Sequence, residues 1–480
     1  MKLEKITNRP EEIVIISVII FILIYTFTFP SYFASVDEHE YIRNAFLLQK
    51  GTLTEPEPTN VCTGRFNGEG WVSQYFIGRS IFLIPFTWLG FGVVMLSGLI
   101  IHLLNLLLVY KIFPRLGHSP LYSLLYLLFP AFLWEARTLN SELLVLTAIL
   151  AGVYFYLSNK PRSLAISGLF FTLALLVRQE AALIAAVFLL IPLIQDRKKF
   201  LFMLLGVIPA AVLLLGVNQL FYGGLVSSGY GNPLLFALNI GTKDIFLLNI
   251  GKFIILLAVA YPLMILSPFV TKSPIRKEVI LSTAAYIIFY AQNASVWIYP
   301  FLHPTAVTGQ LRYLIPVIGL LILTYPPLFE RALNKIRLPP KAVLLSLAGV
   351  LFLAAIVASS IHASFLDGRY ATFQAIHENT EPNSLLIGSS DDCNYVLNNL
   401  FDRRAYLDVG NEQINSFLSQ YENIYVLDIS YTTVDYSSSR GQLISKERAQ
   451  ISDFLEFHKD ELELVFESEE PNHVRIYRFT

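Results

Sequence analysis

The chain has 480 residues, of which 54% are hydrophobic and 15% charged, and its formal net charge is −1. A water-soluble protein carries about 25% charged residues because its surface must face water, so much of this surface faces something else. The absence of a basic excess argues against a nucleic-acid partner, and two cysteines, Cys62 and Cys393, are too few for a disulfide framework or a zinc cluster.

A bilayer core of about 30 Å takes roughly 20 apolar residues per helical crossing. Segments of that kind lie at 12–30, 91–113, 120–134, 141–158, 163–178, 180–195, 199–222, 246–270, 278–298, 311–329 and 342–362. The first is read as a retained helix, since its flanks are polar and no small-residue cleavage site follows. The stretches 120–158 and 163–195 are each split at their ionisable residues, which are expensive in hydrocarbon. Lys and Arg recur in alternate connections, from Lys2, Lys5 and Arg9 to Arg331, Lys335, Arg337 and Lys341. By the positive-inside rule that alternation puts the N-terminus in the cytoplasm. The expected molecule is thus an α-helical polytopic protein of the cell membrane with about eleven spans. Its transmembrane domain covers residues 1–362, with a first outer loop at 31–90, and a soluble extracytoplasmic α/β domain covers 363–480. In that tail, apolar runs at 384–388, 405–409, 424–429, 462–466 and 474–479 read as strands. Helical stretches at 392–401, 412–420 and 446–458 separate them, which suggests a largely parallel sheet.

The first outer loop reads Ser35-Val-Asp-Glu-His-Glu-Tyr-Ile-Arg-Asn-Ala-Phe-Leu-Leu-Gln-Lys-Gly51. Residues 37–49 have helical character, with Ile42, Ala45, Phe46 and Leu48 opposite Glu38, Glu40, Arg43 and Asn44, and Gly51 is placed to end the helix. Such a helix directly after a span is expected to lie in the membrane interface. Asp37 and Glu38 would sit at its N-terminus, where the backbone N–H groups favour carboxylates, with Tyr41 one turn on. The plain alternative makes Asp37 an N-cap and Glu38 a solvated first-turn residue. A second helix-like stretch, 74–89, holds Arg79, Pro85 and the belt residue Trp88.

Further ionisable groups fall at the same outer face: Glu142 in Asn140-Ser-Glu142, Arg178 and Glu180 in Val177-Arg-Gln-Glu180, and Arg312 in Gln310-Leu-Arg-Tyr313. Glycosyl transfer from a phosphate-linked donor needs a base for the incoming hydroxyl, positive charge for the departing phosphate and a site kept from bulk water. Arginine suits the phosphate because its donors can bind two oxygens at once. Each residue also has a structural reading: Arg178 pairing with Glu180, Glu142 capping its own helix beside Ser141, Arg312 snorkelling to headgroups.

Taken in order, Asp37-Glu38-His-Glu-Tyr41, the proline-bearing stretch ending Trp88-Leu-Gly-Phe-Gly, Asn140-Ser-Glu142, Val177-Arg178-Gln-Glu180 and Gln310-Leu-Arg312-Tyr313-Leu-Ile-Pro316 resemble the GT-C superfamily of membrane glycosyltransferases. Within it, the likeness is to protein O-mannosyltransferases and lipid A aminoarabinose transferases. The resemblance covers about residues 12–360. It implies inverting transfer of a sugar from a polyprenyl-phosphate carrier, such as dolichyl phosphate, to a lipid, protein or glycan acceptor outside the cell membrane. Asp37 would then be the general base, Glu38 would orient the acceptor or Asp37, and Glu142 would contact substrate or metal. Arg312 and Tyr313 would hold the carrier phosphate. Tyr41, Arg178 and the outer-loop His303 are further substrate-site candidates. For the family's first-loop phosphate lysine, Lys50, Arg65 and Arg79 stay open. The Trp-Trp-Asp signature of oligosaccharyltransferases is missing.

No residue type here demands a metal, although Asp37 with Glu142 offers carboxylates for one divalent ion. A lipid or sugar transporter is the competing class. Transporters often carry inverted repeats and midplane helix breaks, whereas here no matching halves are found and the ionisable residues gather at one face.

Overall fold

The computed structural model describes residues 9–55, 64–67, 69–227, 243–260, 263–292, 304–389, 392–395, 405–410, 414–430, 439–469 and 472–480. Helix α1 (Pro10–Phe27) opens with proline at its first position and Glu11 and Glu12 in its first turn, all favourable at a helix start. After α1 come α2 (Val36–Gln49), a small sheet of β1 (Thr54–Glu55), β2 (Gly64–Phe66) and β3 (Trp71–Ser73), then α3 (Ile77–Thr87) and α4 (Phe91–Arg115). The small sheet has the antiparallel order β1-β3-β2. Helix α2 follows the periodicity of its sequence, and Gly51 beyond its end adopts φ +77°, which glycine takes without strain.

The stretch expected to cross at 120–134 does not form one helix. It breaks into a 3₁₀ turn (Pro120–Ser123), α5 (Leu124–Leu127) and α6 (Pro130–Glu135). Phe129, held at ψ 121° ahead of Pro130, cannot continue a helix. Nearly every side chain of the segment is buried, packed against α1, α4 and the late helices. The remaining helices are α7 (Glu142–Tyr156), α8 (Pro161–Val177), α9 (Ala181–Gln195), α10 (Arg197–Tyr222), α11 (Lys243–Ala260), α12 (Ser267–Val270), α13 (Arg276–Ala291), α14 (Pro304–Thr324), α15 (Pro326–Lys335) and α16 (Pro340–Asn379).

Among the described residues, four helices (α1, α4, α10 and α16) are long and apolar enough to cross a membrane; α14 and α15, bent by 54°, add a fifth if they count as one span. Rows of large apolar side chains stand exposed on these helices: Ile15, Ile16, Ile19 and Leu23 on α1, Leu201, Leu205 and Ile208 on α10, Val350, Leu353 and Val357 on α16. Patches of that extent mark contact with lipid and not with water. The chain is a multi-pass membrane protein.

The composition change at 362 falls inside α16, which runs unbroken into the tail. The tail sheet comprises β4 (Leu385–Gly388), β5 (Ala405–Asp408), β6 (Ile424–Ser430), β7 (Leu462–Ser468) and β8 (His473–Phe479) in the order β5-β4-β6-β8-β7. Helices α17 (Ile414–Leu418) and α18 (Ser439–Phe457) accompany it. The expected largely parallel sheet is in fact mixed. β4 pairs in parallel with β5 and β6, while β8 runs antiparallel to both β6 and β7. Only four residues separate β7 from β8, too few for a parallel crossover, and the two strands pair antiparallel.

Candidate functional site

The site grows from the start of α2. Ser35 stands at the N-cap, so Asp37 and Glu38 occupy the second and third helical positions. Ser35-Val-Asp-Glu38 has the spacing of a capping box, but Ser35 makes no side-chain cap and Glu38 reaches past it to the Ala34 N–H. Its Oε1 accepts from the Ala34 N–H at 2.9 Å and from Ser35 Oγ at 3.3 Å. Its Oε2 accepts from the Leu139 N–H at 2.8 Å, 101 residues away. Fully buried, Glu38 has its carboxyl pushed up to about 7 by desolvation, against the pull of those two N–H groups and of Arg369. Of the acidic pair, then, Glu38 ties backbone together and Asp37 stays partly exposed, its side chain 23% accessible.

Leu139 belongs to the turn between α6 and α7, and that turn is gripped from several sides. Arg79 Nε, buried on α3, donates to the Leu139 carbonyl at 2.8 Å, and its Nη2 donates to Ser97 Oγ at 3.0 Å. Gly98 of α4 lets the turn come close: a Cβ there would lie 2.4 Å from the Ala136 carbonyl oxygen. The turn ends in Ser141 and Glu142, the start of α7. Tyr41 donates its hydroxyl proton to Ser141 Oγ at 3.1 Å.

Arg178, in the break between α8 and α9, meets this group from the other side. Its Nη1 donates to Glu142 Oε1 at 2.8 Å and to Ser141 Oγ at 3.3 Å. Its Nε pairs with Glu180, whose carboxylate also accepts from the Tyr290 hydroxyl. The expected pairing of Arg178 with Glu180 is present, and Glu142 joins it. A cation shared by two carboxylates is strongly compensated, so Arg178 chiefly fixes Glu142.

Arg312, on α14, is less committed. Its Nη2 lies 3.4 Å from Asp37 Oδ2, and its Nε lies 3.7 Å from Glu142 Oε1. The Tyr313 hydroxyl accepts from Arg312 at 3.0 Å, and the Tyr313 ring lies 4.9 Å from the guanidinium carbon. On the other side of Asp37, Tyr75 donates to Oδ1 at 2.8 Å. Asp37, Tyr41, Glu142, Arg178, Arg312 and Tyr313 therefore form one cluster, drawn from α2, α7, the α8–α9 break and α14. His303 lies outside the described residues. Arg312 thus lies within reach of both Asp37 and Glu142, the two acids considered for a divalent ion. Among the described residues no group of three or more His, Cys, Asp or Glu is arranged to hold an ion.

Sequence reasoning missed Tyr75, Tyr290 and Ser141. Tyr75 and Tyr290 stand amid apolar or loop sequence with no local mark of their role. Ser141 lay inside the Asn-Ser-Glu run and could have been read from it.

The plain alternative that made Glu38 a solvated first-turn residue is overturned, and so is a solvated polar face for α2. Glu38, Glu40, Arg43 and Asn44 are all buried. Arg43 Nη1 donates to Glu40 Oε2 at 3.2 Å, and its Nη2 lies 3.0 Å from Glu55 Oε2 on β1. The small sheet thus folds over the polar face, and charge balance inside replaces water. Burial pushes the Glu40 carboxyl up, yet Arg43 and His39 outweigh it and hold Glu40 below its ordinary value. Of the three basic candidates in the first loop, Arg79 is the buried backbone clamp described above. Lys50 is exposed at the end of α2, and the side chain of Arg65 lies outside the described residues.

No family model matches the chain, and no curated protein does either. Solved structures do. ArnT from Cupriavidus metallidurans, a lipid A aminoarabinose transferase, matches in its apo state with a TM-score of 0.63 and 11% identity over 98% of both chains. The same protein bound to undecaprenyl phosphate matches at 0.59 with 10% identity, over 97% of both chains. The oligosaccharyltransferase of Archaeoglobus fulgidus in its apo form matches at 0.52 with 12% identity, over 87% of this chain and 69% of its own. Both proteins belong to the GT-C superfamily, and this chain shares the fold of the first over 98% of its length and of the second over 87%.

Proposed function

We propose that the protein is an inverting membrane glycosyltransferase that moves a sugar from a polyprenyl-phosphate carrier to an acceptor hydroxyl or amine on the extracytoplasmic side. The observation that carries this reading is the meeting of Asp37 with Arg312, a partly exposed carboxylate beside a partly exposed guanidinium, the latter 19% accessible. In the shared fold, the neighbour captured with undecaprenyl phosphate supports a lipid-linked donor for this chain too. The neighbour tethered to an acceptor peptide supports a second substrate entering beside it.

Each partner's chemistry follows from its surroundings. Asp37 removes the proton of the acceptor as its heteroatom attacks the anomeric carbon from the face opposite the phosphate. The bond from that carbon to the phosphate oxygen breaks, and its electron pair leaves with the polyprenyl phosphate. Tyr75 holds one Asp37 oxygen and leaves the other for the acceptor. Arg312 binds the phosphate, where its forked donors neutralise the charge that grows on the leaving oxygen. Without donor, Arg312 rests against Asp37. A bound phosphate competes for Arg312 and so frees the base at the moment the substrate is in place. Glu142, braced by Arg178, borders the acceptor path, and Tyr41 holds the turn that carries it.

A topology of about eleven crossings with the N-terminus inside puts this cluster at the outer face, with the tail beside it. Incubating purified protein with radiolabelled undecaprenyl- and dolichyl-phosphate sugars and membrane extract tests the reading. Label should leave the carrier for a lipid, protein or glycan; label that stays on every carrier offered, with extract present, speaks against it.

A further inference from the structure

The segment that enters the catalytic helix is held by the helix that leads into the tail. On α16, Arg369 Nη1 donates to the Ala34 carbonyl at 2.8 Å. Two residues earlier, Asp367 accepts from Ser31 Oγ at 2.7 Å. Tyr32 packs between these contacts, its ring 5.3 Å from that of Phe373 and 6.2 Å from that of Tyr370. The guanidinium of Arg369 lies over two rings, Phe365 at 5.6 Å and Tyr395 of the tail at 5.1 Å. Arg369 is thereby wedged between the tail and residues 31–34.

Single contacts link this wedge to the transfer site. Ala34 receives Arg369 on its carbonyl and gives its N–H to Glu38. Glu38 takes the N–H of Leu139, and the Leu139 carbonyl is held by Arg79. Glu38 adjoins Asp37, and Leu139 is three residues before Glu142. Two acids from distant parts of the chain are thus referenced to one carboxyl group, and that carboxyl to one guanidinium.

We propose that Arg369 is a positioning residue that, through the Ala34 peptide and Glu38, sets the placement of both Asp37 and Glu142, so that the helix entering the tail controls the geometry of the transfer site. The catalytic part of this inference rests on the function proposed above; the structural coupling does not. A backbone shift of about 1 Å at a reacting group is enough to cost two orders of magnitude in rate. Removal of Arg369 should act on the chemical step and spare donor capture by Arg312, which lies on another helix.

The test uses the full-length protein in detergent, as wild type, Arg369→Gln, Arg369→Lys and Asp37→Asn. Amide hydrogen exchange is followed over residues 34–42 and 139–145, and undecaprenyl phosphate binding by tryptophan fluorescence. Transfer is measured from the polyprenyl-phosphate sugar that the wild type uses. Arg369→Gln should speed exchange in both segments by at least tenfold and lower kcat at least tenfold, with KM for the donor and affinity for undecaprenyl phosphate within twofold. Arg369→Lys, which keeps a donor and a charge, should recover most of both losses; it also serves where the glutamine variant does not fold. Unchanged exchange at 139–145, or full kcat in Arg369→Gln while Asp37→Asn is inactive, overturns the positioning role alone. Full activity in Asp37→Asn overturns the catalytic reading instead, and the exchange data still decide the coupling.

Discussion

Arg312 Nη2 lies 3.4 Å from Asp37 Oδ2 although 275 residues separate them. The pair is only partly buried, so solvent screening keeps its net contribution to stability small, within about 1 kcal/mol. A weak ion pair at the mouth of a site is easily exchanged for a substrate anion. That weakness sets Arg312, 3.4 Å from Asp37 and 3.7 Å from Glu142, apart from Arg178, which donates to Glu142 at 2.8 Å and also pairs with Glu180.

Loss of Arg312 should therefore fall on donor binding. Arg312→Ala should weaken undecaprenyl phosphate by about 10- to 100-fold, as expected for a lost charge-assisted contact of roughly 1.5–3 kcal/mol. Arg312→Lys should recover part of it, since a point charge cannot grip two oxygens. Asp37→Asn should bind undecaprenyl phosphate as tightly as wild type or a few-fold tighter, because the competing carboxylate is gone. Fluorescence titration reads all three; equal affinity in Arg312→Ala would remove the phosphate role.

Arg178→Gln should behave differently. With Glu180 left without its cation in a buried setting, and Glu142 left only the longer contact to Arg312, the cost should be about 3–5 kcal/mol of stability. Thermal unfolding in detergent should show a clear fall in Tm, while the Arg312 variants stay within a few degrees of wild type. A stable Arg178→Gln protein with lost undecaprenyl phosphate binding would instead make Arg178 the phosphate ligand.

Glu38 gives a pH signature. Its folded carboxyl titrates at about 7, above the ordinary 4.5. Between those values the folded state binds more protons than the unfolded state, so stability falls as pH rises. The contribution is complete below pH 4.5 and lost above pH 7, a swing on the order of 3 kcal/mol. Glu38→Gln should flatten that part of the Tm-against-pH curve and lower Tm at acid pH, since one buried N–H loses its acceptor. An identical pH slope in the two proteins would refute the assignment.

Cys393 is buried and disulfide-bonded, and Cys62 is the chain's one other cysteine. A bond between them would close a loop of roughly 330 residues, and bonds closing long loops typically add about 2–5 kcal/mol. Protein cut between first loop and tail should run as one species without reductant and as two with it. Two species under both conditions would exclude the bond.

Helix α2 and its end at Gly51 could be read from periodicity, because a 3.6-residue rhythm and a glycine stop are local signals. Its burial could not. Glu40 and Arg43 look solvated in sequence, and only β1, bringing Glu55 over them, turns that face inward. The failure at 120–134 had a visible cause in Pro120 and Pro130, but hydropathy alone counts apolar residues and is blind to where a helix can continue. The same holds for the tail, where strand positions were legible and the sense of β8 depended on the length of one connection. At the site, charged residues near span ends stood out because charge is costly there. Tyr75 and Tyr290 did not, since a tyrosine beside a membrane is ordinary until its hydroxyl is seen to meet a carboxylate. Glu38 was legible as half of an acidic pair, whereas its Leu139 partner is a backbone group that no side-chain pattern reveals.

Whether Asp37 is the base of a sugar transfer at the outer face is decided by assaying purified wild type and Asp37→Asn side by side with labelled polyprenyl-phosphate sugars and membrane extract. General-base loss predicts a rate about 10²- to 10⁴-fold lower in the variant, with Tm and undecaprenyl phosphate affinity retained. A variant that transfers label at the wild-type rate would rule Asp37 out as the base.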